Sequence, residues 1–302
     1  MEWQRKLYGI LSKPPLKDEP MSAHTSIKIG GPADFFVYPQ NEEELRRVLI
    51  LASQNNVPLF VLGCGTNLLV KDKGIRGIVL SLADMSSYCF FEENRVRAGA
   101  ALPLSRLLWE AAEKGLSGLE FAAGIPGSLG GALFMNAGAY GESIDKLVRE
   151  VKTMDFNGNC SVRSKDELEF SYRWSSFQKE KVIILEGILE LIPGDKNKIM
   201  QRINEIQKDR AIKHPIYPSA GSVFRNPPGI PAGVLIEKSG CKGMSKGDAQ
   251  VSQQHGNFII NRGKGTAADV LTLMESVKKK VQENFQIELQ PEIRIIGENG
   301  SE

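Results

Sequence analysis

The chain has 302 residues, enough for two or three domains, and its 41% hydrophobic and 25% charged content suits a globular protein with a full core. Lys and Arg number 38 against 36 Asp and Glu, which argues against a nucleic-acid or membrane-surface protein, since either would need a concentrated basic face. Four scattered cysteines (Cys64, Cys89, Cys160, Cys241) and three histidines (His24, His214, His255) form no zinc, disulfide or other metal-ligand pattern, so no metal is expected.

Residues 1–15 lack a signal-peptide core, and no apolar run is long enough to span a bilayer; the expectation is a reduced, cytoplasmic protein with no membrane partner. In chain order, a strand is predicted over 34–38 and a helix over 42–55. Asn41 is placed to cap that helix with Glu44 three residues on, and Leu45, Val48, Leu49 and Ala52 form its apolar face. A strand over 59–62, a glycine loop over 63–67 and a strand over 78–82 complete a β-α-β beginning. A short strand at 95–98 precedes a helix started by Pro103 and carrying Leu104, Leu107, Leu108 and Ala111.

A glycine-rich segment, 115–141, follows, then strands at 147–155 and 181–191 and a helix over 196–211 presenting Ile199, Ile203 and Ile206. The stretch 214–231 has the Pro/Gly/Ser content of a linker. Beyond it, helices are predicted at 232–239 and 267–285, the second capped by Thr266, with strands at 256–260 and 292–296. The main boundary is placed near residue 211.

Two glycine loops stand out. The first is Gly63-Cys64-Gly65-Thr66-Asn67-Leu68; the second is Gly124-Ile125-Pro126-Gly127-Ser128, leading through Gly131 to Asn136 and Gly138. Glycines let backbone N–H groups converge on an anion, and two such loops together suit the phosphates of a dinucleotide. Leu68 stands where a Rossmann fingerprint needs its third glycine, and no helix follows directly, so that fold is disfavoured. Each loop alone reads more readily as a tight turn, and the ligand as any diphosphate.

Read in order, five segments resemble the UDP-N-acetylenolpyruvoylglucosamine reductases. They are His24-Thr25-Ser26-Ile27-Lys28-Ile29-Gly30-Gly31-Pro32-Ala33; the first glycine loop; the second, through Asn136-Ala137-Gly138-Ala139-Tyr140-Gly141; Ser171-Tyr172-Arg173 with Ser175; and a C-terminal series. That series comprises Ser219-Ala220-Gly221-Ser222-Val223-Phe224, Lys242-Gly243-Met244 and Pro291-Glu292-Ile293-Arg294. The resemblance covers residues 20–297. It implies an α+β chain with the vanillyl-alcohol-oxidase-like FAD-binding fold: two α/β subdomains (1–84 and 85–210) and a C-terminal α+β substrate domain (211–302).

The resemblance further implies non-covalent FAD held by Gly63, Gly65, Thr66, Asn67, Leu68, Gly124, Ile125, Pro126, Gly127, Ser128, Gly131, Asn136 and Gly138. NADPH would be co-substrate and a UDP-sugar the small-molecule partner, on a monomer. The implied reaction reduces UDP-N-acetylglucosamine enolpyruvate to UDP-N-acetylmuramate in peptidoglycan precursor synthesis. Ser222 matches the family's proton donor, Arg173 the arginine that stabilises the enol intermediate, and Glu292 the residue that polarises the substrate carboxylate. Asn226 matches a diphosphate contact, and Lys213 and Arg225 are candidates because cations in a Gly/Pro loop suit phosphates. On composition alone Ser222 reads as a turn serine and Glu292 as an exposed strand carboxylate, while Arg173 reads as readily as a surface arginine as a functional one.

Residues 174–212 leave little room for the extra tyrosine-bearing segment of some family members, so a compact type is expected. A flavin oxidase of the same fold and a diphosphate-binding regulatory module are the competing readings.

Overall fold

The computed structural model describes residues 2–85 and 87–298. The chain divides into two units: Met1–Leu16, Phe36–Cys64 and Ile78–Arg210 form one, and Lys17–Phe35, Gly65–Gly77 and Ala211–Glu302 the other.

In the first unit the helix Glu42–Gln54 starts where the sequence predicts. Asn41 Oδ1 accepts the Glu44 N–H at 2.9 Å, and Leu45, Val48, Leu49, Leu51 and Ala52 are buried along one face. The strand Leu59–Leu62 pairs in parallel with 78–81, Leu59 opposite Ile78 and Leu62 opposite Ser81, completing the predicted β-α-β step. Next comes a five-stranded antiparallel sheet in the order Cys160–Ser164, Val148–Asp155, Val182–Glu190, Arg95–Gly99, Cys89–Glu92. The helices Leu104–Glu113 and Leu129–Met135 and the residues Ile199, Ile203 and Ile206 share its core with Val96, Val148, Val151 and Leu189. Burying each such side chain contributes about 2 kcal/mol.

The helix Leu129–Met135 lies in the segment that reads as a glycine-rich loop. Its Leu-Gly-Gly start has poor helix propensity, and tertiary contacts compensate: Leu129 and Leu133 are fully buried, and the Leu129 and Gly130 N–H groups donate to Leu102 and Ala100 C=O, each at 2.9 Å.

In the second unit four antiparallel strands run in the order Ser219–Ser222, Phe258–Asn261, Ala249–Val251, Ser245–Lys246. Arg294–Ile296 pairs in parallel with Leu68–Val70. The helices Ala232–Lys238 and Ala267–Phe285 cover a second core built around Leu235, Ile259, Val270, Met274 and Val277. Thr266 caps the last helix as predicted, in a capping box with Asp269. Asp72, distant in sequence, adds a second cap: its carboxylate accepts the N–H groups of Ala267 at 2.8 Å and Ala268 at 2.9 Å.

Candidate active site

Within the first unit the strand Leu59–Leu62 delivers Gly63 and Cys64 beside the second glycine loop. Ser128 is the point where they meet. A Cβ on Gly63 would find Ser128 Oγ as its nearest neighbour at 3.8 Å, and one on Gly131 the same oxygen at 3.6 Å. Both glycines thus present bare backbone around one hydroxyl, which also accepts the Gly131 N–H at 3.3 Å and hydrogen-bonds the Cys64 thiol. Gly124 and Gly127, at φ +74° and +146°, shape the approach, with Ile125 and Pro126 between them. The helix's first N–H groups are consumed by Leu102, Ala100 and Ser128, so this cradle offers a ligand shape and backbone access rather than a vacant helix end.

The remaining residues of the first loop belong to the second unit. Gly65, at φ +63°, would carry a Cβ only 2.0 Å from His24 C=O, so that carbonyl enforces glycine whatever else the position does. Ser26 locks the same contact, donating from N–H to Gly65 C=O at 3.1 Å and from Oγ to Ser219 C=O at 2.6 Å. Asn67 Nδ2 donates to Glu292 C=O at 3.1 Å, while Asn67 C=O accepts the Arg294 N–H at 3.0 Å; Thr66 precedes this anchor and the buried Leu68 follows it.

Asn136 ends the helix Leu129–Met135 in the left-handed region, at φ +45°, and its amide is spent on the chain. Its Nδ2 donates to Ser171 C=O at 2.9 Å and its Oδ1 accepts the Asp145 N–H at 3.3 Å. Gly138 sits in a hairpin where a Cβ would lie 2.5 Å from Glu142 C=O.

Asn136 thereby holds the hairpin Phe170–Ser171 with Trp174–Ser175, at whose turn stands Arg173. Ser175 Oγ and Gln178 Nε2 donate to Phe134 C=O at 2.7 and 2.9 Å, and Gln178 also reaches Arg173 C=O at 3.3 Å. Arg173 has φ +54°, strained for a residue with a Cβ, and its guanidinium lies 5.1 Å from the Tyr172 ring centroid.

Arg210 is a neighbour that the sequence reading did not select. Burial, the largest effect, and the charge of Arg173 weaken its hold on its proton, while Tyr140 and Asp209 oppose them. Its Cδ would touch a Cβ on Gly124 at 2.8 Å, and its buried Nε makes no hydrogen bond among the described residues. The Arg210 guanidinium beside Gly124, with the charge of Arg173 acting on it, makes this part of the unit receptive to an anion. The signal available in sequence was weak: Arg210 sits among other charges on an exposed helix end.

In the second unit Ser222 ends its strand opposite Phe258, just after Gly221 at φ +79°. Glu292 approaches one residue later: its N–H donates to Val223 C=O at 2.8 Å, Phe224 bridges Pro291, and the Arg225 N–H donates to Gln290 C=O at 2.8 Å. Ser222 and Glu292, seventy positions apart, are therefore joined through a single intervening residue. Asn226 Oδ1 accepts the Ala232 N–H at 2.9 Å and so caps a helix, an arrangement that commits its oxygen and leaves the donor end of its amide as the part suited to a phosphate. Lys213 is exposed at the end of its helix, followed by His214, whose ring packs against His255 and Phe258. Lys242 pairs with Glu237 at 2.8 Å.

Residues 212–296 match the family described as UDP-N-acetylenolpyruvoylglucosamine reductase, C-terminal domain, and residues 33–162 that described as FAD binding domain. A UDP-N-acetylenolpyruvoylglucosamine reductase of Clostridium botulinum (strain 657 / Type Ba4) is 45% identical over 287 residues, 95% of this chain and 94% of the relative. The protein of the same description from Caldanaerobacter subterraneus subsp. tengcongensis is 46% identical over 282 residues, 93% of each. This chain belongs to the UDP-N-acetylenolpyruvoylglucosamine reductase family.

The crystal structure of UDP-N-acetylenolpyruvylglucosamine reductase from Thermus caldophilus superposes with a TM-score of 0.79 at 35% identity, covering 91% of this chain and 97% of that one. The reductase is thus an FAD-dependent oxidoreductase of peptidoglycan precursor synthesis, with the α+β FAD-binding fold expected from its sequence. Its residues fit the cofactor: the glycine faces around Ser128 are a surface that a side chain would fill and a diphosphate can approach. Among the described residues no helix is long and apolar enough to cross a membrane.

Proposed function

We propose that this reductase converts UDP-N-acetylglucosamine enolpyruvate to UDP-N-acetylmuramate at the expense of NADPH, as a monomer that holds FAD non-covalently. Residues 1–84 and 85–210 serve the cofactor and 211–302 the substrate. The observation that carries the reading is the meeting of Ser222 and Glu292 on the two sides of Val223, which puts a hydroxyl and a carboxyl on adjoining backbone.

When bound, FAD would supply hydride equivalents drawn from NADPH for addition to the terminal vinyl carbon. The residues handle everything else. As the hydride arrives, the alkene electron pair moves toward the substrate carboxylate, and the planar fork of Arg173 stabilises the resulting enediolate. Glu292 polarises the same carboxylate. Ser222 Oγ–H then gives its proton to the neighbouring carbon; a serine is a weak acid, but an enediolate carbon is a strong base. One hydride and one proton saturate the double bond, and solvent restores the Ser222 proton. Lys213, Arg225 and the Asn226 amide are assigned to the substrate diphosphate.

An anaerobic titration tests the scheme. NADPH should bleach the visible flavin band of the yellow protein, and UDP-N-acetylglucosamine enolpyruvate should restore it. Bleaching without recovery would sink the assigned acceptor and leave a flavoenzyme with another.

A further inference from the structure

Asn257 has no part in the chemistry above, yet all four of its polar groups are hydrogen-bonded, three of them to the two residues that follow Ser222. It is 3% exposed. Its backbone C=O accepts the Val223 N–H at 2.8 Å. Its side chain addresses Phe224: Oδ1 accepts the Phe224 N–H at 2.9 Å, and Nδ2 donates to Phe224 C=O at 2.8 Å. Its own N–H donates to His255 Nδ1 at 3.2 Å, which holds the amide's backbone in turn.

A carboxamide that satisfies both polar groups of another residue's backbone replaces a strand neighbour at a place where no strand continues. The ladder explains the need. Pairing is irregular between Ser219 and Ser222, with Gly221 at positive φ, and regular pairing ends at Ser222 opposite Phe258. Residues 290–292 bridge one edge of this backbone, and on its other edge Ser222 would otherwise sit between a bulge and residues with no strand partner. Three hydrogen bonds from Asn257 fix the two residues beyond it, and Phe224 is itself 1% exposed, so water cannot take over those bonds. Only a side chain with one donor and one acceptor on the same planar group can serve Phe224 in this way; Asp lacks the donor, and Gln is longer by a methylene.

We propose that Asn257 is a positioning residue that holds Ser222 in register for proton transfer. The proposal rests on Ser222 being the proton donor. Catalytic groups lose effect when displaced by a fraction of an ångström, so loosening this clamp should slow the step that uses Ser222 and no other.

The test uses the FAD-loaded enzyme and its two half-reactions, followed by stopped flow at the flavin band. In Asn257→Ala, bleaching by NADPH should stay within about twofold of wild type, while reoxidation by UDP-N-acetylglucosamine enolpyruvate should slow by about tenfold or more. Hydrogen exchange at the Phe224 amide should accelerate in the same variant. In a Ser222→Ala background the Asn257 change should slow reoxidation by less than about threefold, because the group it positions is already gone. If Asn257→Ala does not fold, Asn257→Asp keeps the shape and the acceptor and is read by the same assays.

Wild-type reoxidation in the Asn257 variants, equal slowing of both half-reactions, or an undiminished effect in the Ser222→Ala background would each overturn the proposal. The underlying assignment fails separately. Wild-type reoxidation in Ser222→Ala alone would remove the proton donor and the positioning role together, whereas slow Ser222→Ala beside unimpaired Asn257 variants removes only the latter.

Discussion

Arg173 adopts φ +54° at the turn of its hairpin, where glycine or asparagine is the ordinary choice. A side chain kept in such a position against its backbone preference points to a requirement for the side chain itself. Arg173→Gly should therefore raise stability by about 1 kcal/mol while abolishing the contribution of the guanidinium. Thermal melting and turnover measured on the same preparation check this; an active Arg173→Gly, or one that melts earlier, contradicts it. Arg173→Ala and Glu292→Gln should each cost roughly a hundredfold in the rate of flavin reoxidation if each supplies a hydrogen bond made chiefly in the transition state. Unchanged reoxidation in either variant would remove that residue from the chemistry.

Among secondary-structure elements, what the pattern of residues announced and what it concealed differ for a physical reason. The helices Glu42–Gln54, Leu104–Glu113 and Ala267–Phe285 carry apolar residues at helical spacing, and the first and last have capping residues at their starts, so local sequence is enough to read them. Leu129–Met135 and Ser219–Ser222 lack such signals. The first is a helix because Leu102 and Ala100 carbonyls receive its opening N–H groups, and the second is a strand because Phe258–Asn261 lies beside it. Asp72 belongs to the same class of concealed contact: it caps the last helix from almost two hundred residues away. Asp72→Ala should cost about 1 kcal/mol of stability in chemical denaturation, and a neutral result would show that Thr266 alone suffices. Gly65→Ala should be far worse, because its Cβ would overlap His24 C=O at 2.0 Å and the positive φ is lost to strain. Soluble yield and melting temperature would show this directly.

For the whole molecule, stability should respond to the cofactor and to pH. Removing FAD should lower the melting temperature; at a free FAD concentration about one hundred times Kd the cofactor contributes about 2.7 kcal/mol. No difference between stripped and reloaded protein would deny the folded cradle its ligand. His255 gives the pH term. Burial, helped by the positive charge of Lys242 and opposed by Glu237, holds its pKa below the ordinary 6.5. The folded state thus binds fewer protons at this site than the unfolded chain, so this contribution is fully present above pH 6.5 and is lost as pH falls through the depressed folded value. Replacing His255 with Gln should flatten the acid limb of the stability curve over that window; an identical limb would assign the loss to other groups.

By itself the amino-acid sequence determined the family, the FAD-binding character and the helices whose periodicity is complete, because each is written in residues close together along the chain or in motifs kept in a specific order. It also singled out Gly63, Gly131 and Ser128 as members of loops, without saying that they face one another. That meeting was decided only by tertiary structure, as were the joining of Ser222 to Glu292 through Val223, the nearness of Arg210 to Arg173, and the clamp of Asn257 on Phe224. The reason is that a hydrogen bond between residues tens or hundreds of positions apart leaves no local pattern of polarity: Asn257 in a sequence is one more polar residue before a strand, and only the arrival of Phe224 gives its amide both a donor and an acceptor to serve.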